Sequence, residues 1–149
     1  ITIVPEAVRT ARDESKAQVL GALADCFGDV YGLDAGEVLD GLETRETLGS
    51  TGFGRVMAIP HCRVSGVRKP TLAVIRLDRP VDFDAADGQP VSLAFGLVSP
   101  ESAGATHLHA LAAISRLMRD EAKLQAFADA PDAEALYAVL TNQFLRDAA

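Results

Sequence analysis

Three histidines are the side chains of this sequence best suited to chemistry near neutral pH. An imidazole of unperturbed pKa about 6.5 keeps a neutral, nucleophilic ring nitrogen available there. His61 follows the short apolar run VMAI and Pro60, whose fixed φ helps hold the imidazole in one place. Projecting the segment after Thr106 at about 100° per residue sets His107 with Leu111, Ile114 and Met118, and His109 with Arg116, Asp120 and Lys123. His109 is therefore expected in solvent. His107 is expected in the first turn of a helix, facing the core or a cleft, beside backbone N–H groups with no intrahelical acceptor. Such an end attracts anions and suits a phosphoryl group. Arg45 adds a permanently charged planar fork matched to phosphate oxygens. Each of the three has a plainer reading that is the more common one: a hydrogen-bonded core histidine, a loop-capping histidine and a solvated arginine. Cys62, beside His61, is not read as its partner, because neighbours on an extended chain point to opposite sides.

Other chemistries lack their parts. Gly52-Phe53-Gly54 supplies two glycines of a G-x-G-x-x-G fingerprint, with Met57 at the third place and a strand expected next instead of a helix. There is no G-x-x-x-x-G-K-[ST] loop, no H-E-x-x-H and no G-x-S-x-G elbow, so nucleotide hydrolysis, zinc proteolysis and α/β-hydrolase chemistry are not suggested. The net charge of −7 and the lack of a dense Lys/Arg block argue against nucleic acid as a partner. The two cysteines, Cys26 and Cys62, suggest neither a disulfide framework nor a four-thiolate zinc site and are expected free. No cofactor is implied, and a metal site on His61 and His107 lacks ligand spacing. No apolar stretch approaches the roughly 20 residues that span a bilayer, and ITIVPEAVRT lacks the apolar region of a secretory signal. A soluble, cytoplasmic protein without membrane insertion is expected.

The 149 residues, 48% of them hydrophobic, suit one domain over residues 1–149. A core-facing helix is expected from Asp13 to Tyr31 on the stripe Leu20, Leu23, Ala24, Phe27, Val30 and Tyr31. Asp34, three residues before Glu37, reads as the cap of a second, shorter helix. LGSTGFG reads as a turn. Strands are expected over Val56–Ile59, Thr71–Leu77 and Val91–Val98, the last two apolar enough to be covered on both faces. Thr106 reads as the cap of a helix carrying Leu108, Leu111, Ile114, Leu117 and Met118; Asp132 caps another carrying Leu136, Val139, Leu140 and Phe144. Residues 1–12 form a strand or an arm. Helices before and after the strands give an α/β fold: a single layered domain, with a central mixed β-sheet flanked by α-helices.

The segment LETRETLGSTGFGRVMAIPHCR, Leu42 to Arg63, resembles the active-site signature of the phosphotransferase-system IIA proteins of fructose and mannitol type, especially their nitrogen-regulatory branch. The resemblance continues through THLHALAAISRLM, Thr106 to Met118, into the last helix. It implies that His61 is the phosphoryl acceptor, charged from a phosphohistidine on an HPr-like carrier, with His107 and Arg45 as the accompanying active-site residues. It further implies a regulatory phosphocarrier whose targets include transporters or sensor kinases. A sugar-specific IIA component that passes phosphate to a IIB domain, and a binding module without phosphoryl transfer, are the alternatives. The family commonly carries glycine where this chain has Val56 and Cys62, which implies a bulkier strand edge and a bulkier surface beside His61.

Overall fold

Residues 1–148 are described by the structure, a computed structural model, with side chains described through Asn142. Ser15 opens the first helix, α1 (Lys16–Tyr31), by accepting from the Gln18 amide, so the helix begins just after the expected Asp13. Its stripe Val19, Leu20, Leu23 and Phe27 is buried, and Gly32 ends it in the left-handed conformation at φ 70°, which glycine adopts without a Cβ penalty. Asp34 caps α2 (Ala35–Thr47) through the Glu37 amide, as its spacing predicts.

The N-terminal segment is a strand rather than an arm. After a 3-10 turn at Pro5–Ala7, β1 (Val8–Ala11) runs parallel to β5 (Thr71–Val81). Strand β5 pairs antiparallel with β6 (Val91–Pro100) at the centre of a six-stranded mixed sheet. Side chains alternate between faces: Ala73, Ile75, Ala94 and Val98 join the core under α1 and α2. Leu72, Val74, Leu93, Phe95 and Leu97 join a second core under the C-terminal helices. Continuous apolar runs in β5 and β6 follow from being covered twice. Each fully buried large side chain, such as Phe27 or Phe95, contributes roughly 1.5–3 kcal/mol.

The stretch between the second helix and β5 departs most from expectation. GFG is not only a turn: Gly52–Gly54 is a short strand, β2, antiparallel to β3 (Met57–Ala58). Val56 does not begin a strand. It sits with Arg55 in the two-residue connection between β2 and β3, at φ 63° and 54° respectively, so that both residues take the left-handed conformation that the tight hairpin turn demands. Then β3 pairs parallel with β6 (Met57 opposite Leu93), the pairing stops at Ile59-Pro60, and β4 (His61–Val64) resumes it with His61 opposite Leu97. The offset is the same on both sides of the break. The two pieces are one strand interrupted where proline has no N–H to give.

The last three helices cover the second face. α3 spans Gly104–Arg119 and starts two residues before Thr106, with Ala103 at the cap position and no side-chain cap. Leu108 is 61% exposed and lies off the buried stripe of His107, Ala110, Ile114, Leu117 and Met118. The expected continuation to Lys123 fails at Asp120, which closes α3 and caps a separate α4 (Glu121–Asp129) through the Ala122 and Lys123 amides. Asp132 caps α5 (Ala133–Ala148) as expected, with Leu136 and Leu140 buried; the side chain of Phe144 lies outside the described residues. Among the described residues no helix is long and apolar enough to cross a membrane.

Candidate functional site

His61 is the first residue of β4, not a loop cap, and parallel pairing with β6 fixes its backbone. Period-2 alternation then sends His61 toward α3 and Cys62 toward α2. Cys62 is buried against α2, its Sγ 3.8 Å from the Val38 carbonyl oxygen. Burial, then the charge of Glu37, pushes its thiol pKa up to about 12, so it is a packing group, without the thiolate that cysteine chemistry requires. The expected bulk at the surface beside His61 is not produced by this residue; it is taken up by Gly41 on α2. A Cβ there would lie 2.9 Å from both Cβ and Sγ of Cys62.

This close seat brings the last turn of α2 over the edge of β4. Arg45, one turn beyond Gly41, places its Nε 3.2 Å from His61 Nε2 and donates from Nη1 to the Gly49 carbonyl at 2.8 Å. The neighbouring Glu46 pairs with Lys16 at the start of α1 and accepts from the Thr51 amide and hydroxyl. The arginine is thus carried on a helix end tied down on two sides.

The other ring nitrogen of His61, Nδ1, lies 2.7 Å from the Ile59 carbonyl oxygen. A carbonyl can only accept, so Nδ1 carries the proton and Nε2 carries the lone pair. Burial lowers the His61 pKa below its usual value, the Ile59 bond opposes this and the Arg45 charge adds to it. The ring is neutral at pH 7, with its nucleophilic nitrogen under the guanidinium.

His107 stands beside it, ring centroids 5.5 Å apart. It is buried in the first turn of α3, as expected, but its own amide is used, bonding to the Ala103 carbonyl at 2.7 Å. Its Nδ1 lies 2.7 Å from the hydroxyl oxygen of Ser99, a fully buried residue of β6. Burial first, then His61 and Arg63, drive the His107 pKa down to about 4. His109 is exposed, as expected. The structure therefore brings together Arg45, His61 and His107 from three distant segments and leaves His109 out.

Two neighbours were not singled out from the sequence. Arg63, two residues after His61 on the same strand, lowers the pKa of both histidines; the i, i+2 relation on a strand was the available signal. Ser99 fell just past the apolar run expected as a strand, and only the register of Arg63 opposite Ser99 shows where it points. The cleft holds about 640 Å³ and is bordered by Arg45, His61, Arg63 and His107, with Leu48 and Leu108 at its rim. Those two leucines are 80% and 61% exposed. No group of three or more metal-ligating side chains occurs among the described residues.

A neutral imidazole presented on a sheet under a guanidinium, with a second buried imidazole beside it, makes a histidine-centred cleft on an α/β fold. Comparison with known proteins gives the class its family. Residues 3–143 match the family model described as phosphoenolpyruvate-dependent sugar phosphotransferase system, EIIA 2, and the chain belongs to that family. It is 44% identical over 129 residues to a nitrogen regulatory protein of Pseudomonas aeruginosa, covering 86% of this chain and 84% of the relative. It is 43% identical over 139 residues to that of Bradyrhizobium diazoefficiens, covering 93% and 91%. The crystal structure of nitrogen regulatory protein IIA-Ntr from Neisseria meningitidis superimposes with a TM-score of 0.83 at 35% identity, covering 91% of this chain and 94% of that one. The mixed sheet between helical layers is thus the fold of this family's solved members.

Proposed function

We propose that this chain is a regulatory phosphocarrier that accepts a phosphoryl group on His61 Nε2 from a phosphohistidine of an HPr-like carrier. The observation that carries the reading is the two-sided hold on His61: Nδ1–H donates to the Ile59 carbonyl while Nε2 faces Arg45. Once the Arg45 guanidinium, which donates to Nε2 in the unphosphorylated protein, shifts to the phosphoryl oxygens, the ring meets phosphorus with its lone pair and needs no base to be deprotonated. As the new Nε2–P bond forms, the donor's N–P bond breaks and its electron pair returns to the donor imidazole. The acceptor ring gains positive character, which the Nδ1–H···O=C bond stabilises. The exchange is between like bonds, so positioning and charge stabilisation by Arg45 and His107 are the protein's main tasks.

Kinship with nitrogen regulatory proteins supports the regulatory version over a sugar-specific one. Phosphorylated His61 would bring roughly two negative charges to a cleft rimmed by the exposed Leu48 and Leu108. Partners that read this apolar rim, transporters or sensor kinases in the family's regulatory branch, would then distinguish the two states without refolding of the domain. Incubation with a phosphorylated HPr-like carrier is expected to label wild type and not His61→Ala. Equal labelling of the two would remove His61 from the role.

A further inference from the structure

The two histidines of the site have different partners for the same ring atom. His61 Nδ1 faces a carbonyl oxygen, which can only accept; His107 Nδ1 faces a hydroxyl, which can do either. The choice at His107 is decided by what else Ser99 can bond. Its side chain is fully buried, and its hydroxyl has no hydrogen-bond partner other than His107 among the described residues. If the hydroxyl accepted from His107, its own proton would be left in the interior without an acceptor, which is costly. If it donates to Nδ1, that proton is satisfied, and what remains on the oxygen is lone pairs alone.

The consequence falls on the opposite ring nitrogen. A neutral imidazole whose Nδ1 accepts must carry its proton on Nε2. Among the described residues Nε2 of His107 has no partner and is not sealed off, since the one enclosed and unpartnered side-chain polar atom there is Asp13 Oδ2. His107 borders the same cleft as His61. We infer that Ser99 is a positioning residue that holds His107 in the Nε2–H tautomer, opposite to the Nδ1–H tautomer of His61. One ring then offers a lone pair to phosphorus while the other offers a proton to a phosphoryl oxygen.

With the roles reversed, His107 would point a lone pair at an anion and repel it. Protonating both nitrogens would also provide a donor, but burial holds the ring neutral at pH 7. A hydroxyl in the sheet thus supplies by hydrogen bonding what charge would otherwise supply. The purpose of the arrangement rests on the phosphoryl-acceptor reading; the tautomer itself does not.

The test reads both. Two-bond proton–nitrogen spectra of the imidazoles in the unphosphorylated protein are expected to show the proton of His107 on Nε2 and that of His61 on Nδ1. Ser99→Ala is expected to shift His107 toward a mixture of tautomers and to slow labelling of His61 from a phosphorylated HPr-like carrier by about tenfold. Complete removal of a preorganised donor typically costs more, roughly 10² to 10³-fold. Ser99→Thr keeps the hydroxyl and is expected to keep both tautomer and rate. A His107 proton on Nδ1 in wild type overturns the inference, as does Ser99→Ala with wild-type tautomer or wild-type rate. Expected tautomers in a wild-type protein that no such carrier labels would uphold the assignment while removing the relay.

Discussion

Replacing Gly41 by alanine tests whether the seat of α2 on β4 sets the reach of Arg45. The new Cβ would lie 2.9 Å from two side-chain atoms of Cys62, closer than such contacts occur. Overpacking of this kind costs about 1–3 kcal/mol, whereas glycine to alanine within a helix gains about 1 kcal/mol. Gly41→Ala is therefore expected to destabilise wild type by about 1 kcal/mol. In a Cys62→Gly background both obstructing atoms are gone, only the helical gain remains, and the same change should stabilise by about 1 kcal/mol. The four proteins of the cycle, unfolded in urea at one pH, should give a coupling of about 1–3 kcal/mol with a change of sign. The Nε of Arg45 stands 3.2 Å from His61 Nε2, so a few tenths of an ångström of added separation takes it beyond normal hydrogen-bond length. The His61 Nε2 resonance should accordingly shift in Gly41→Ala and return in the double variant. Coupling below about 0.5 kcal/mol, or an unmoved His61, would refute the link between helix seat and arginine.

Two further outcomes are expected. Val56→Gly should raise the urea midpoint by the equivalent of about 0.5–1 kcal/mol: relief of a β-branched residue held at φ 63° outweighs the entropy cost of the glycine. Stability should also fall as the pH is lowered from about 6.5 toward 4. His107 titrates at about 4 when folded and near 6.5 when unfolded, so in that window the unfolded chain binds more protons and acid favours it. The contribution is up to about 3 kcal/mol, and urea titrations of His107→Gln should show a flatter pH profile than wild type.

The sequence was legible where one residue type has one physical use. Asp34 and Asp132 announce helix starts because their carboxylates accept from amides three residues on. The apolar runs of β5 and β6 announce strands covered twice. Arg45, His61 and His107 were chosen by chemical type and by family resemblance, and the fold does bring them to one cleft. What stayed hidden depends on partners distant in the chain. HCRV alternates polar and apolar residues, the period-2 pattern of a half-covered strand, but it is only four residues long and its partner, β6, lies far along the chain. Arg55 and Val56 give no sign of a left-handed turn, because residues suited to it would be asparagine and glycine. The helical projection was carried on to Lys123, and only the cap at Asp120 separates the two helices. Ser99 fell one residue past the expected strand Val91–Val98, and only the longer β6 places it under His107.

The strand that stops at Pro60 and rejoins β6 at an unchanged stagger has a mechanical consequence. The imidazole at position 61 is mounted on a strand in register with the central β6, and the Ile59 oxygen, beside the break in pairing, grips its ring. On the proposed phosphocarrier reading, an incoming protein would meet a nitrogen already aimed, and the search for a productive pose would be left to the collision of the two bodies instead of the side chain.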